Sequence, residues 1–211
     1  MTHKKPPATF FINCPFDDEY KPLFQSTIFT LIYLGFKPLF SSNTSSDRNR
    51  ISSIMKLIES SDFSIHDLCR NKPTLPDEPV RFNMPLELGL AMGCRRFGGR
   101  KHQRKKLLIL DRDAHEYDKY IGDISGQDIE SHKEDPQILI SKIRHWITRL
   151  FPNRVIPFEQ QIWFQYNQFK SDLKDTLLKT ANGPDSILDL EPVDFMRFTK
   201  DWISAFQKKD A

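Results

Sequence analysis

From Thr9 to Phe151, short apolar runs alternate with longer stretches whose apolar residues recur every three to four positions. Thr9-Phe10-Phe11-Ile12-Asn13 predicts a strand stopped by Cys14-Pro15. Pro22 to Leu34 predicts a helix with Leu23, Ile28, Leu31 and Ile32 inward and Gly35 as its stop. Phe36 to Phe40 is a second strand, running into the turn-rich Ser41-Ser42-Asn43-Thr44-Ser45-Ser46. Asp47 is placed to cap a helix carrying Ile51, Ile54, Met55 and Ile58.

Asp62 to Leu68 predicts a third strand, and Arg70 to Phe82, with three prolines, a long loop before a helix opened by Pro85. Lys106 to Leu110 is a fourth strand, Tyr117 to Ser125 a helix, Gln127 to Ser131 a short fifth strand, and Pro136 to Phe151 an amphipathic helix. Strands alternating with helices predict an α/β fold: a parallel sheet with helices on both faces. Beyond Pro152 two helical stretches remain, split by Asn182-Gly183-Pro184-Asp185. The expected organisation is an α/β domain over 9–151 and a helical extension over 157–208. The aromatic residues of the extension need burial against the sheet domain or another subunit.

Composition narrows the class. A chain of 211 residues fits one domain of about 150 residues plus an extension. Its net charge of +3 is too small to imply nucleic-acid binding by itself. Cys14, Cys69 and Cys94 stand far apart with no paired metal spacing, so no metal site is expected and a reduced, cytoplasmic protein is. No apolar run is long enough to span a membrane.

Loops leaving the C-terminal ends of parallel strands share one edge, and ligands bind there. Here those loops carry Asn13, Cys14, Pro15, Phe16, Asp17 and Asp18; Ser41, Ser42 and Asn43; His66 and Asp67; the 70–82 loop leading to Glu87; and Asp111-Arg112. Arg70, Lys72, Arg81 and Arg112 are candidate phosphate partners. Neither GxGxxG nor GxxxxGK[ST] occurs, which disfavours a tightly wrapped dinucleotide or a P-loop nucleotide.

The most informative segment is Asn83-Met84-Pro85-Leu86-Glu87-Leu88-Gly89-Leu90-Ala91, which puts one carboxylate at the front of an otherwise apolar helix. Such a Glu stabilises or attacks a sugar cation, or else caps its helix and complements the dipole. His66 is a candidate general base or a structural hydrogen-bond partner. Asp67 is a candidate ribose contact or turn cap. Cys14, with no base beside it, reads as a small buried residue rather than a nucleophile. Asp17 and Asp18 read as helix-terminal charges or a second catalytic carboxylate. The basic run Arg95 to Lys106 joins a helix to a strand on the opposite edge and reads as a solvated loop.

Several segments together resemble prokaryotic TIR-like domains and the related nucleoside 2-deoxyribosyltransferase-like proteins. They are Phe11-Ile12-Asn13-Cys14-Pro15-Phe16, the Ile54–Ser61 helix running into Phe63-Ser64-Ile65-His66-Asp67, Asn83 to Ala91, and Asp123-Ile124-Ser125-Gly126-Gln127-Asp128-Ile129. The resemblance covers Thr9 to Phe151 and implies a flavodoxin-like sheet of five strands and chemistry on an N-glycosidic bond centred on Glu87. It implies NAD or another nucleotide as substrate rather than cofactor, a place in bacterial antiviral defence or signalling, and a homo-oligomer.

Three readings follow. In a TIR-like NAD glycohydrolase or cyclase, Asn83 orients loop or ligand, Glu87 stabilises the ribosyl cation, Asp67 holds ribose hydroxyls, and the 70–82 loop with Arg81 meets the pyrophosphate. In a deoxyribosyltransferase or nucleoside hydrolase, Asp17 or Asp18 assists the leaving base. The third is a non-enzymatic nucleotide sensor or scaffold on the same fold.

Overall fold

The computed structural model describes residues 6–41, 50–70, 82–114, 117–119, 121–124, 126–180, 184 and 186–209. Five strands form one all-parallel sheet: β1 (Thr9–Asn13), β2 (Lys37–Leu39), β3 (Phe63–Asp67), β4 (Lys106–Asp111) and β5 (Ile129–Ser131). Their order is β2-β1-β3-β4-β5, that of a flavodoxin-like α/β fold. The chain steps outward from β1 to β2 and returns to β3 on the other side, so the topological switch lies between β1 and β3. The helices are α1 (Lys21–Tyr33), α2 (Arg50–Ser60), α3 (Asn83–Phe97), α4 (Pro136–Leu150), α5 (Glu159–Leu178) and α6 (Pro192–Lys209).

The chain divides into two compact units: Met1–Pro15 with Phe36–Lys133, and Phe16–Gly35 with Glu134–Ala211. This is not the division at residues 151–157 that the end of the β-α repeat suggests. Helices α1 and α4 group with α5 and α6.

In the sheet unit, register and alternation put Phe11, Asn13, Ser64 and His66 on one face. That face is covered by α2 and α3: Phe11 packs with Ile54, Ile58 and Ala91. Beside this cluster, Leu68 and Ile109 pack with Met84, Leu88, Tyr117 and Ile124. Of the four apolar positions predicted to line α2, Ile54 and Ile58 are buried, while Ile51 and Met55 are exposed. The buried Lys105 amine donates to the Ile58 and Ser61 carbonyls and, at 3.1 Å, to Ser61 Oγ. One residue of the basic run thus closes the C-terminal end of α2, where a cation complements the dipole. The helix expected over 117–125 is instead two 3-10 turns, Tyr117–Lys119 and Gly122–Ile124, with Gly122 opening the second. The predicted cap Asp47, and Ser42, Asn43, Lys72 and Arg81, lie outside the described residues.

In the helical unit, α1 is enclosed on every side, each residue from Leu23 to Ile32 being buried. Its polar side chains are satisfied locally or by one neighbour. Ser26 and Thr27 donate to the Leu23 carbonyl, Thr30 to that of Ser26, and Gln25 to that of Ile187. Gly35 follows the helix at φ 76°, the left-handed conformation glycine allows. The aromatic residues of the C-terminal helices find their burial here: Phe29 stacks on Phe169 at 5.4 Å and meets Tyr166 at 5.2 Å, and Phe169 packs on Phe195. Asp135 caps α4, accepting from the Gln137 and Ile138 amides ahead of an inward row of Leu139, Ile140, Ile143, Trp146 and Ile147.

Candidate functional site

The switch point is built around the last residue of β1. Asn13, 1% exposed, donates its amide N–H to the Met84 carbonyl at 2.9 Å, pinning the first turn of α3 to the sheet. Because that carbonyl demands a donor, the orientation of the Asn13 amide is set. The same Nδ2 lies 3.0 Å from His66 Nδ1, which must then accept. His66 therefore carries its proton on Nε2 and donates to Ser64 Oγ at 2.9 Å. The imidazole is fully enclosed, and burial pushes its pKa down to about 3. The general-base reading of His66 falls here: it is a neutral strut with both nitrogens engaged. Asn13 Oδ1 has no hydrogen-bond partner among the described residues.

One turn into α3, beyond the first turn a capping carboxylate would occupy, stands Glu87. Its side chain neither caps the helix nor makes a hydrogen bond among the described residues. It is 6% exposed, and burial raises its pKa to about 7 against a weaker opposing pull from Arg50. Packing positions it: Met84, Leu88 and Ala91 turn α3 inward, and the same side of the helix carries Glu87 down. Asn83, the first residue of α3, is exposed. On the opposite side of the helix a cavity of about 640 Å³ is lined by Gly89, Met92, Gly93, Arg95, Arg96 and Phe97, away from Glu87.

A second group occupies the other face of the same sheet edge. Asp67 is fully buried; its Oδ1 accepts the Cys69 amide at 3.0 Å and its Oδ2 lies 3.0 Å from His132 Nε2. His132 follows β5 directly and is also fully buried. Asp67 faces this cluster and not the Glu87 side, because neighbours along a strand point to opposite faces. Burial also raises the Asp111 carboxyl above its usual range, with Asp67 adding to the effect; its Oδ1 accepts the Arg112 amide at 2.7 Å. Arg112 pairs with Asp113 at 2.9 Å.

The sheet unit thus carries Asn13, His66 and Glu87 on one side of the sheet and Asp67 on the other, with Asp111 closing β4 and Pro15 at the unit's boundary. Phe16 and Asp17 belong to the helical unit: Phe16 packs on Phe24 at 5.3 Å, and Asp17 accepts the Tyr20 amide at 2.9 Å ahead of α1. Sequence reasoning missed Ser64, the Met84 carbonyl, Cys69 and His132. Strand alternation places Ser64 beside His66 and was the only signal available for any of them.

Comparison with protein-family models, with curated proteins and with solved structures gave no match. The fold class is therefore carried by the sheet itself. No helix among the described residues is long and apolar enough to cross a membrane.

Proposed function

We propose that this chain cleaves an N-glycosidic bond of a nucleotide, as a TIR-like NAD glycohydrolase or cyclase, with Glu87 as its catalytic carboxylate. The observation that carries the reading is a desolvated carboxylate without a hydrogen bond among the described residues, held near the switch point by a helix pinned to β1. A carboxylate in such surroundings is stabilised by a cation, and an oxocarbenium-like sugar is one. The glycosidic C–N bond breaks with its electron pair leaving on the base. Glu87 then faces the positive sugar carbon until water, losing a proton to solvent, or an internal nucleophile adds to it. A base that is already cationic, such as nicotinamide in NAD, suits the site further, since its charge favours the ionised form of Glu87.

Asn13 holds Met84 and with it the height of α3, and exposed Asn83 stands at the mouth of the helix. Arg70 and Arg81 flank the loop expected to meet phosphate. The deoxyribosyltransferase alternative calls for Asp17 or Asp18 as helper, and both have local partners ahead of α1: the Tyr20 amide and, at 2.7 Å, Lys21. Mass-spectrometric product analysis of the purified chain with NAD, NADP, ATP and a panel of nucleosides tests the proposal. Release of nicotinamide, reduced when Arg70 and Arg81 are replaced by Ala, supports the nucleotide reading. Base release from phosphate-free nucleosides, indifferent to those two changes, moves the function to the transferase or nucleoside hydrolase class. Binding without any product, retained in Glu87→Gln, identifies a sensor.

A further inference from the structure

We propose that Asp67, Cys69 and His132 form a binding site for one divalent transition-metal ion, zinc by preference. Their ligand atoms, one carboxylate oxygen, one sulfur and one imidazole nitrogen, all lie within 4.8 Å of one another, and all three residues are buried. They arrive from two separate places in the chain: the end of β3 with the turn after it, and the residue following β5. Between those strands lies β4. Bonds of about 2.0–2.3 Å hold the ligands of a tetrahedral ion roughly 3.3–3.7 Å apart. The Asp67–His132 pair at 3.0 Å would open by a few tenths of an ångström, and the widest separation would close by about 1 Å. Side-chain rotation within the cluster supplies movements of that size.

The donor set suits the ion. Sulfur with imidazole selects zinc, copper or iron over magnesium or calcium, which take oxygen ligands. On binding, the Cys69 S–H bond gives way to a sulfur–metal bond and the proton leaves to solvent. Asp67 binds as carboxylate, and His132 as neutral imidazole through Nε2. One carboxylate and one thiolate balance a doubly charged ion, so the buried site is neutral as a whole. The fourth tetrahedral position is left to water, as in sites with three protein ligands. Asp67 Oδ1 keeps the Cys69 amide as partner, a backbone contact of the kind that orients metal-binding carboxylates.

This inference stands apart from the Glu87 reading, because Asp67 and Glu87 lie on opposite faces of the sheet. The test uses the full chain, purified without a histidine tag, stripped with a chelator and titrated with Co²⁺ and with Zn²⁺. About one Co²⁺ per chain is expected, with a near-ultraviolet sulfur-to-cobalt absorption band that Zn²⁺ displaces. Cys69→Ser should lose the band, His132→Gln should weaken binding at least about tenfold, and Glu87→Gln should change neither. The proposal is overturned if the wild-type chain binds no stoichiometric Co²⁺ or Zn²⁺. It is overturned equally if the band persists in folded Cys69→Ser. Should either variant fail to fold, the wild-type titration alone decides, since a structural Asp67–His132 pair would bind no metal.

Discussion

Replacing Glu87 by Gln should make the protein more stable, and only at high pH. The carboxyl is raised from 4.5 to about 7 in the fold, chiefly by loss of solvent. When folded and unfolded chains both hold the proton, below about pH 4.5, its burial has no electrostatic cost. Between about pH 4.5 and 7 the folded state binds the proton more tightly, so stability falls as pH rises; above about 7 the full penalty is present. A shift of this size corresponds to about 3 kcal/mol, with the opposing Arg50 attraction already contained in it. The amide of Gln has no charge to desolvate. Its packing effect is the same at every pH and cancels when the variant is compared with wild type at two pH values. Urea unfolding followed by tryptophan fluorescence, at about pH 4 and about pH 8.5, reads the difference as a midpoint shift of about 1 M. A wild-type-to-variant gap that stays constant across this range would refute the claim that Glu87 is held protonated by burial.

Three further changes probe the frame that holds the site. Lys105→Met leaves two carbonyls and a hydroxyl at the end of α2 without their buried donor, so a loss of about 2–4 kcal/mol is expected in denaturant unfolding. Phe29→Ala empties the centre of the aromatic cluster between α1 and α5 and should cost about 3–5 kcal/mol; a loss under about 1 kcal/mol would mean that the cluster does not hold the unit together. Asn13→Ala frees the Met84 carbonyl and leaves His66 Nδ1 without its donor, so stability should drop by about 1–3 kcal/mol. Any activity should fall more than in a core substitution of equal stability cost, which kinetic comparison at matched folded fraction would reveal.

The sheet was legible because strands and helices alternate with sharp stops. Pro15 after β1, Gly35 after α1 and Pro136 at the start of α4 mark where the chain changes period. The two compact units were not legible. Helix α1 is apolar all round, and nothing in its own residues says that Tyr166, Phe169 and Phe195, far along the chain, will enclose it. Glu87 stood out because a carboxylate in an apolar helix needs a reason. His66 was ambiguous because a strand-end histidine looks the same whether it faces substrate or is locked by Ser64 and Asn13. The Asp67–Cys69–His132 group has no sequence motif, since only the strand order, with β4 alone between β3 and β5, brings His132 within reach of Asp67. The 3-10 turns at 117–124 escaped notice because their buried residues, Tyr117 and Ile124, are seven apart and mimic one helical face.

Whether Glu87 acts on a sugar carbon, as proposed, is decided by free-base release from NAD, quantified by mass spectrometry, for wild type and Glu87→Gln side by side. Nicotinamide and an ADP-ribose product are expected from wild type. The rate should be at least about 10²-fold lower in a Glu87→Gln protein that folds as well or better. Equal rates of base release from the two proteins would contradict the proposal.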